Sequence, residues 1–233
     1  MPKLLVGCAQ ARGAMENVAK KFDLVELALF DKPTTTKAPA LRRWRREAGP
    51  TTAFALVAPK IVSAVRPGDP LDKGVEELLE AQRAIEAQWL VLTTPIEVTP
   101  SPLQRERLKK LVDQIRAGLG EAKSVVRIAW EPKGVWEGDV AGSFAKSLGL
   151  DLSVDPLADA REPFWHPTLR YLRQRPTAGR DGVAPTRLRN IAELLAGAMS
   201  DDDEDSSFVT VFLTAHAAAE GKKLKSLVKA IVE

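Results

Sequence analysis

Glu131 and Lys133 stand two residues apart in the segment Trp130–Trp136, which reads WEPKGVW. In extended backbone that spacing points both side chains the same way, so an acid and a base share one surface. Pro132 and Gly134 turn the chain after Glu131, and Trp136 supplies an apolar wall. The same spacing also serves a surface ion pair beside a buried Trp, and both readings stand. Asp155, followed by Pro156, is a carboxylate suited to a base, a ligand or a helix-cap acceptor. With Glu131 it forms a candidate pair to divide acid and base roles, or to hold a metal. Arg173, in YLRQRP, is of the type that holds an anion, or else it neutralises Asp155.

Other chemistries lose support on spacing. His166 and His216 are the only histidines, with no H-x-H or H-E-x-x-H between them and no Cys partner, which argues against a His-based metal centre. A Ser nucleophile needs a G-x-S-x-G elbow, and Ser143 in AGSFA lies inside a helical stretch instead. The segment after the first apolar run, GCAQARG, lacks the G-x-G-x-x-G spacing of a dinucleotide site, and no G-x-x-x-x-G-K-[ST] occurs. Cys8 reads as a small core residue. Arg42, Arg43, Arg45 and Arg46 flank Trp44, but four charges in five positions cannot share one helical face. They read as a solvated face anchored by Trp44, with an RNA-contacting patch as the minor alternative.

The elements that must position these residues alternate along the chain. Apolar runs at Lys3–Cys8, Asp23–Leu29, Thr51–Val57, Trp89–Thr93, Lys123–Trp130, Leu150–Val154, Leu169–Arg173 and Ser207–Leu213 predict eight strands. Helical spacing predicts helices at Arg12–Lys21, about Thr36–Ala48, Leu71–Gln88, Pro102–Leu119, Asp139–Leu148, Pro185–Met199 and Ala217–Val232. None follows the sixth strand, where Asp155–Thr168 is rich in Pro and Trp. Strands alternating with helices mean parallel βαβ units, and eight in this length suit an α/β fold of the (β/α)8 TIM-barrel type. No linker divides the chain, so one barrel domain is expected over residues 1–233. In such a barrel the segments after each strand build the site, which gathers Glu131, Lys133, Asp155 and Arg173 at one mouth. The acid run Asp201–Asp205 precedes the eighth strand and falls on the opposite face, as a solvated loop.

Charge and composition bound the partners. Lys and Arg total 34 against 31 Asp and Glu, a formal charge of +3, too small for a general pull toward phosphate backbones. A nucleic-acid partner is therefore not expected. One cysteine excludes an internal disulfide or a cysteine metal cage and suits a reducing compartment. The N-terminal MPKLLVGCAQ is too short an apolar run for a signal or a membrane span, so a cytoplasmic protein is expected.

Taken in order, these motifs resemble the domain-of-unknown-function 72 family, typified by YecE-like proteins. DLVELALF resembles the family's second-strand Val-Glu-Ile-Asn motif, and RRWRREAGPTTAFALVAPKIVS its Trp helix and following strand. WEPKGVW is similar to its Glu-x-Arg segment ending in Trp, VDPLAD to its Asp-Pro, and YLRQRP to its Tyr-x-Arg-Leu-His-Gly. VTVFLTAH falls where an aromatic residue and two Asn are expected. The resemblance implies a TIM-type barrel of unestablished activity, and it adds Glu26 and Lys60 to the ligand-binding candidates. Departures lie at the strand ends: Ala28 replaces the Asn, Val57 the strand-three Lys, Lys133 the Arg, Arg175-Pro176 the His-Gly, and Thr214-Ala215 the two Asn. Lys for Arg gives up bidentate anion geometry.

The resulting expectation is a polar or anionic small ligand held at the mouth by Glu26, Lys60, Lys133, Trp136 and Arg173, with catalysis reduced or lost. The alternative is an acid/base enzyme, hydrolase- or lyase-like, using Glu131 and Asp155. The sequence names no cofactor.

Overall fold

Strands of a parallel sheet are covered on both faces and so read as near-continuous apolar runs. Eight of these pair in one parallel sheet in the computed structural model, which describes residues 2–9, 14–30, 36–158, 163–202 and 206–232. In chain order they are β1 (Lys3–Ala9), β2 (Leu24–Leu27), β3 (Ala53–Val57), β4 (Trp89–Thr94), β5 (Arg127–Pro132), β6 (Asp151–Leu152), β7 (Tyr171–Gln174) and β8 (Ser207–Phe212). The helices are α1 (Met15–Ala19), α2 (Ala38–Ala48), α3 (Lys60–Ser63), α4 (Asp69–Ile85), α5 (Pro102–Leu119), α6 (Gly138–Ser147), α7 (Pro185–Ser200) and α8 (Ala217–Val232). The expected helix start at Arg12 and the expected loop over residues 31–35 lie outside the described residues, as do residues 203–205 of the acid run.

Strand order is β6-β5-β4-β3-β2-β1-β8-β7. β1 pairs in register with β8, Lys3 opposite Ser207 and Cys8 opposite Phe212, the pairing that separates a barrel from an open sheet. The remaining seam, between β6 and β7, is closed by a single parallel bridge, Leu152 to Leu169, with Leu152 N–H donating to Thr168 O at 2.6 Å. The barrel is therefore nearly closed and thin at one seam.

Side-chain alternation divides each strand between two cores. Leu5, Leu24, Ala55, Val91, Ala129 and Val209 fill the barrel interior. Their neighbours, including Val25, Leu90, Trp130 and Leu172, pack outward against the helices. This period of two fixes which polar residues face inward. On β5 Ala129 is interior and Trp130 exterior, so Arg127 and Glu131 point into the barrel from its two ends.

Local chemistry sets the helix ends. Ser101 caps α5 by accepting from Gln104 N–H at 3.4 Å, Pro102 occupies the first turn, and Gly120 at φ 57° stops it. The chain then makes a short 3-10 turn, Gly120–Ser124, so β5 starts later than the apolar run suggests, where Arg127 meets Trp89. α3 is a further difference, a single turn within the expected loop after β3. Among the described residues no helix follows β6, as the Pro- and Trp-rich composition predicts. Among the described residues no helix is long and apolar enough to cross a membrane.

Candidate functional site at the barrel mouth

Three strands bring three charges inward at the C-terminal end of the barrel. Glu26 on β2, Glu131 on β5 and Arg173 on β7 each follow an interior apolar residue by two positions. Arg173 lies between the two carboxylates. Its Nη2 donates to Glu26 Oε1 at 2.7 Å, and its Nη1 donates to Glu131 Oε2. The side chains are nearly dry, 10% exposed for Arg173, 2% for Glu26 and 5% for Glu131. Tyr171, fully buried beneath, donates its hydroxyl to Glu26 Oε2 at 2.9 Å. Burial pushes the Tyr171 hydroxyl well above its ordinary pKa, and the Glu26 charge adds to this.

Glu131 is the hub. Besides Arg173 it accepts from Lys133 Nζ at 2.5 Å, Arg175 Nη2 at 2.6 Å and Thr93 Oγ1 at 3.2 Å. Thr93 is its register partner on β4. Burial pushes this carboxyl up, but the Arg173 charge and the bonds from Lys133 and Arg175 outweigh it and bring the pKa down to about 2. For Arg173 burial favours the neutral form, and the Glu26 and Glu131 charges reverse that, holding it above its ordinary value. The cluster has three cations against two carboxylates. The cations that reach solvent are Arg175, 49% exposed, and Lys133, 36% exposed.

Beside this hub lies a cleft of about 230 Å³ lined by Asp155, Arg173, Arg175, Pro176, Thr177, Ala178 and Arg187. Asp155 pairs with Arg187 of α7 and also accepts from Leu157 N–H at 3.0 Å. Asp155 thus caps no helix: its carboxylate braces the turn that follows β6, and the cation neutralising it is Arg187, with Arg173 committed to Glu26 and Glu131. The structure gathers Glu26, Glu131, Lys133, Asp155 and Arg173 around one end of the barrel.

Trp136 is placed differently from the expected wall of the mouth. Its ring meets Trp130 edge-on at 4.8 Å, stacks on Phe144 at 5.5 Å, and donates Nε1–H to Val98 O at 2.6 Å. It fills the layer between sheet and helices, because Trp130 faces outward and Gly134, at φ 79°, turns the chain over that layer. Lys60 opens α3 on the exposed rim after β3. Around Trp44, Arg45 covers the Phe54 ring at 4.8 Å and bonds Thr52 O at 2.8 Å, while Arg43 pairs with Glu47. Two of the four arginines thus have partners on or beside α2.

Sequence reasoning passed over Thr93, Tyr171, Arg175 and Arg187. The signal for Arg175 was present: Arg173-x-Arg175 has the same two-residue spacing as Glu131-x-Lys133. Nothing local marks Arg187, which acts through a partner 32 residues away. A second ion pair also emerged at the opposite end, where Arg127 Nη2 meets the buried Asp151 Oδ1 at 2.5 Å and Nη1 donates to Ser207 Oγ at 3.2 Å. Burial raises the Asp151 pKa in spite of Arg127.

A larger cleft, about 580 Å³, lies beside α1 and the start of α8 and includes Cys8, Lys21 and Thr214. It shares no residue with the charged cluster. Burial pushes the Cys8 thiol up to about 12, so it is neutral at physiological pH, as a small core residue would be. Among the described residues no group of three His, Cys, Asp or Glu side chains is arranged to hold a metal ion.

No family sequence model matches the chain, and no curated protein matches it. Solved structures do match. A domain-of-unknown-function 72 family protein from Enterococcus faecalis superposes with a TM-score of 0.71 at 13% identity, over 99% of this chain and 98% of that one. One from Thermotoga maritima gives 0.61 at 15%, over 96% and 99%. A D-psicose 3-epimerase from Clostridium cellulolyticum, solved with D-tagatose, gives 0.63 at 15%, over 99% of each. At such identities the likeness is one of fold. This chain has the eight-stranded TIM-type barrel that the domain-of-unknown-function 72 and sugar-epimerase structures share.

Proposed function

We propose that this chain is a divergent member of the domain-of-unknown-function 72 family. Its barrel mouth binds a small polar or anionic molecule, and catalysis there is reduced or lost. The observation that carries this reading is the saturation of Glu131. A general acid or base works best with a pKa near the operating pH. A carboxylate held at about 2 by three cations is a poor acid and a weak base. The same cations leave the hub with a surplus positive charge, and the two that reach solvent, Lys133 and Arg175, suit an anion. Sugar epimerases share the fold, which supports a compact polar ligand. A chain with one buried free cysteine fits a cytoplasmic setting.

A second reading is an acid/base enzyme acting on an anionic small molecule. It is favoured by Asp155, whose side chain is 43% exposed at the cleft edge and within reach of a ligand. Mass spectrometry of metabolites co-purified with the full chain, followed by binding and turnover assays, separates the two. Binding without turnover, weakened at least about tenfold when Lys133 and Arg175 are both replaced by Ala, is expected. Clear turnover, abolished by Glu131→Gln with binding intact, establishes the enzyme reading instead.

A further inference from the structure

We propose that the cleft between Arg175 and Arg187 is a phosphate subsite of the mouth, in which the Asp155 carboxylate stands where a ligand's phosphoryl oxygens bind. The proposal deepens the reading above and rests on it.

The first argument is electrostatic. Arg187 lies in the first turn of α7, which holds no acidic residue. A cation there opposes the positive end of the helix dipole, so the position favours an anion from elsewhere. Asp155, from the segment after β6, supplies one. Arg175 comes from the segment after β7 and belongs to the same cleft wall, and Arg173 forms part of its floor. Three arginines, two from the end of β7 and one from α7, thus line one small space. Planar guanidinium groups match phosphate and carboxylate oxygens in a two-pronged way that ammonium groups cannot.

The second argument is hydrogen bonding. Arg173 Nη1 and Nη2 are committed to carboxylates, yet its Nε is buried without a hydrogen-bond partner. Thr177 Oγ1 accepts from Ala184 N–H at 2.9 Å, which leaves its proton free to donate into the cleft. The cleft lining carries side-chain donors from Arg175, Thr177 and Arg187, and its one carboxylate is Asp155.

The third argument is size and charge. A volume of about 230 Å³ falls below the usual range for a drug-sized ligand, so it fits a charged fragment of a molecule. Asp155 is the most exposed of the three carboxylates, at 43%, and so the one a ligand's anion can most readily displace. Without it, four cations (Lys133, Arg173, Arg175 and Arg187) face two carboxylates (Glu26 and Glu131). The surplus of two matches a phosphate monoester dianion better than a single carboxylate.

Calorimetric titration of the full chain with inorganic phosphate, and separately with acetate, tests this at low ionic strength. Phosphate should bind more tightly than acetate. Arg187→Ala should weaken phosphate binding at least about tenfold, the scale of one charge-assisted bond, and Asp155→Asn should tighten it. Arg187→Lys retains the charge and the helix, so it should bind better than Arg187→Ala and worse than the natural chain. Circular dichroism confirms that each variant is folded. Phosphate affinity within twofold of the natural chain in Arg187→Ala overturns the subsite. If Lys133→Ala is the variant that loses phosphate, the anion sits over Glu131, and the subsite falls while the mouth reading stands. Binding of neither anion at millimolar concentration overturns both.

Discussion

Arg173 is the residue on which the mouth depends, because two buried carboxylates share its guanidinium. Coulomb attraction offsets the desolvation of all three only while each partner is in place, and removing one leaves uncompensated buried charge. Arg173→Met should destabilise the protein by about 3–5 kcal/mol, read from the midpoint of urea unfolding. Glu131 gives a prediction in pH. Its folded pKa, about 2, lies below the ordinary 4.5, so the unfolded chain binds its proton more readily. Its contribution is therefore present above about pH 4.5 and is lost as pH falls toward 2. The stability difference between the natural chain and Glu131→Gln should accordingly shrink between pH 5 and pH 2. A difference constant over that range would show that Glu131 is not held ionised by its neighbours.

At the scale of elements, the segment between β7 and α7 carries Arg175 and Thr177 and must be held against the barrel. Glu220 of α8 does this from the next unit along. Its buried Oε1 accepts from Val183 N–H at 2.6 Å, and its Oε2 accepts from Thr214 Oγ1. Gly182 is required beside it, since a Cβ there would stand 2.4 Å from Glu220 Oε1. Glu220→Ala should release this segment, with the Val183 amide exchanging faster by hydrogen-exchange mass spectrometry while the β1 and β8 amides keep their protection. Uniform loss of protection would mean that Glu220 supports the whole barrel instead. Trp136 illustrates a different element-level role. Packed on Trp130 and Phe144, it fixes α6 to β5 on the side of the sheet away from the mouth. Trp136→Ala should cost about 3–5 kcal/mol of stability, the usual range for a buried Trp, while leaving phosphate affinity within about twofold.

For the whole molecule, the thin point is the seam between β6 and β7. β6 has two residues, and its contact with the β7 side is one bridge, against six paired positions between β1 and β8. With so short a strand and a single bridge, few backbone hydrogen bonds resist opening there. The Leu152 amide, bonded to Thr168 O, should therefore exchange orders of magnitude faster than the Leu90 amide in the middle of the sheet. Equal protection at the two would place the seam within the cooperative core. The mouth lies at this side of the barrel, since Asp155 follows β6 and Arg173 belongs to β7, so the ligand-binding end is also the least tightly closed.

The sequence by itself determined the alternation of strands and helices, because apolar runs and amphipathic spacing are local consequences of burial on two faces or one. It also determined that Glu131 and Lys133 point together, since a two-residue period is a property of extended backbone. The pairing of Arg173 with Glu26 and Glu131 was decided only by closing the sheet, which brings residues 147 and 42 positions apart within bonding distance. Closure also assigned Asp155 to Arg187 and turned Trp136 away from the mouth, because which face a residue after a strand covers depends on the turn that follows it. The ionisation of Glu131 belongs to the same level. Its carboxyl chemistry is written in the residue type, but three cations at the ends of β5 and β7 set its pKa, and no stretch of sequence contains them together.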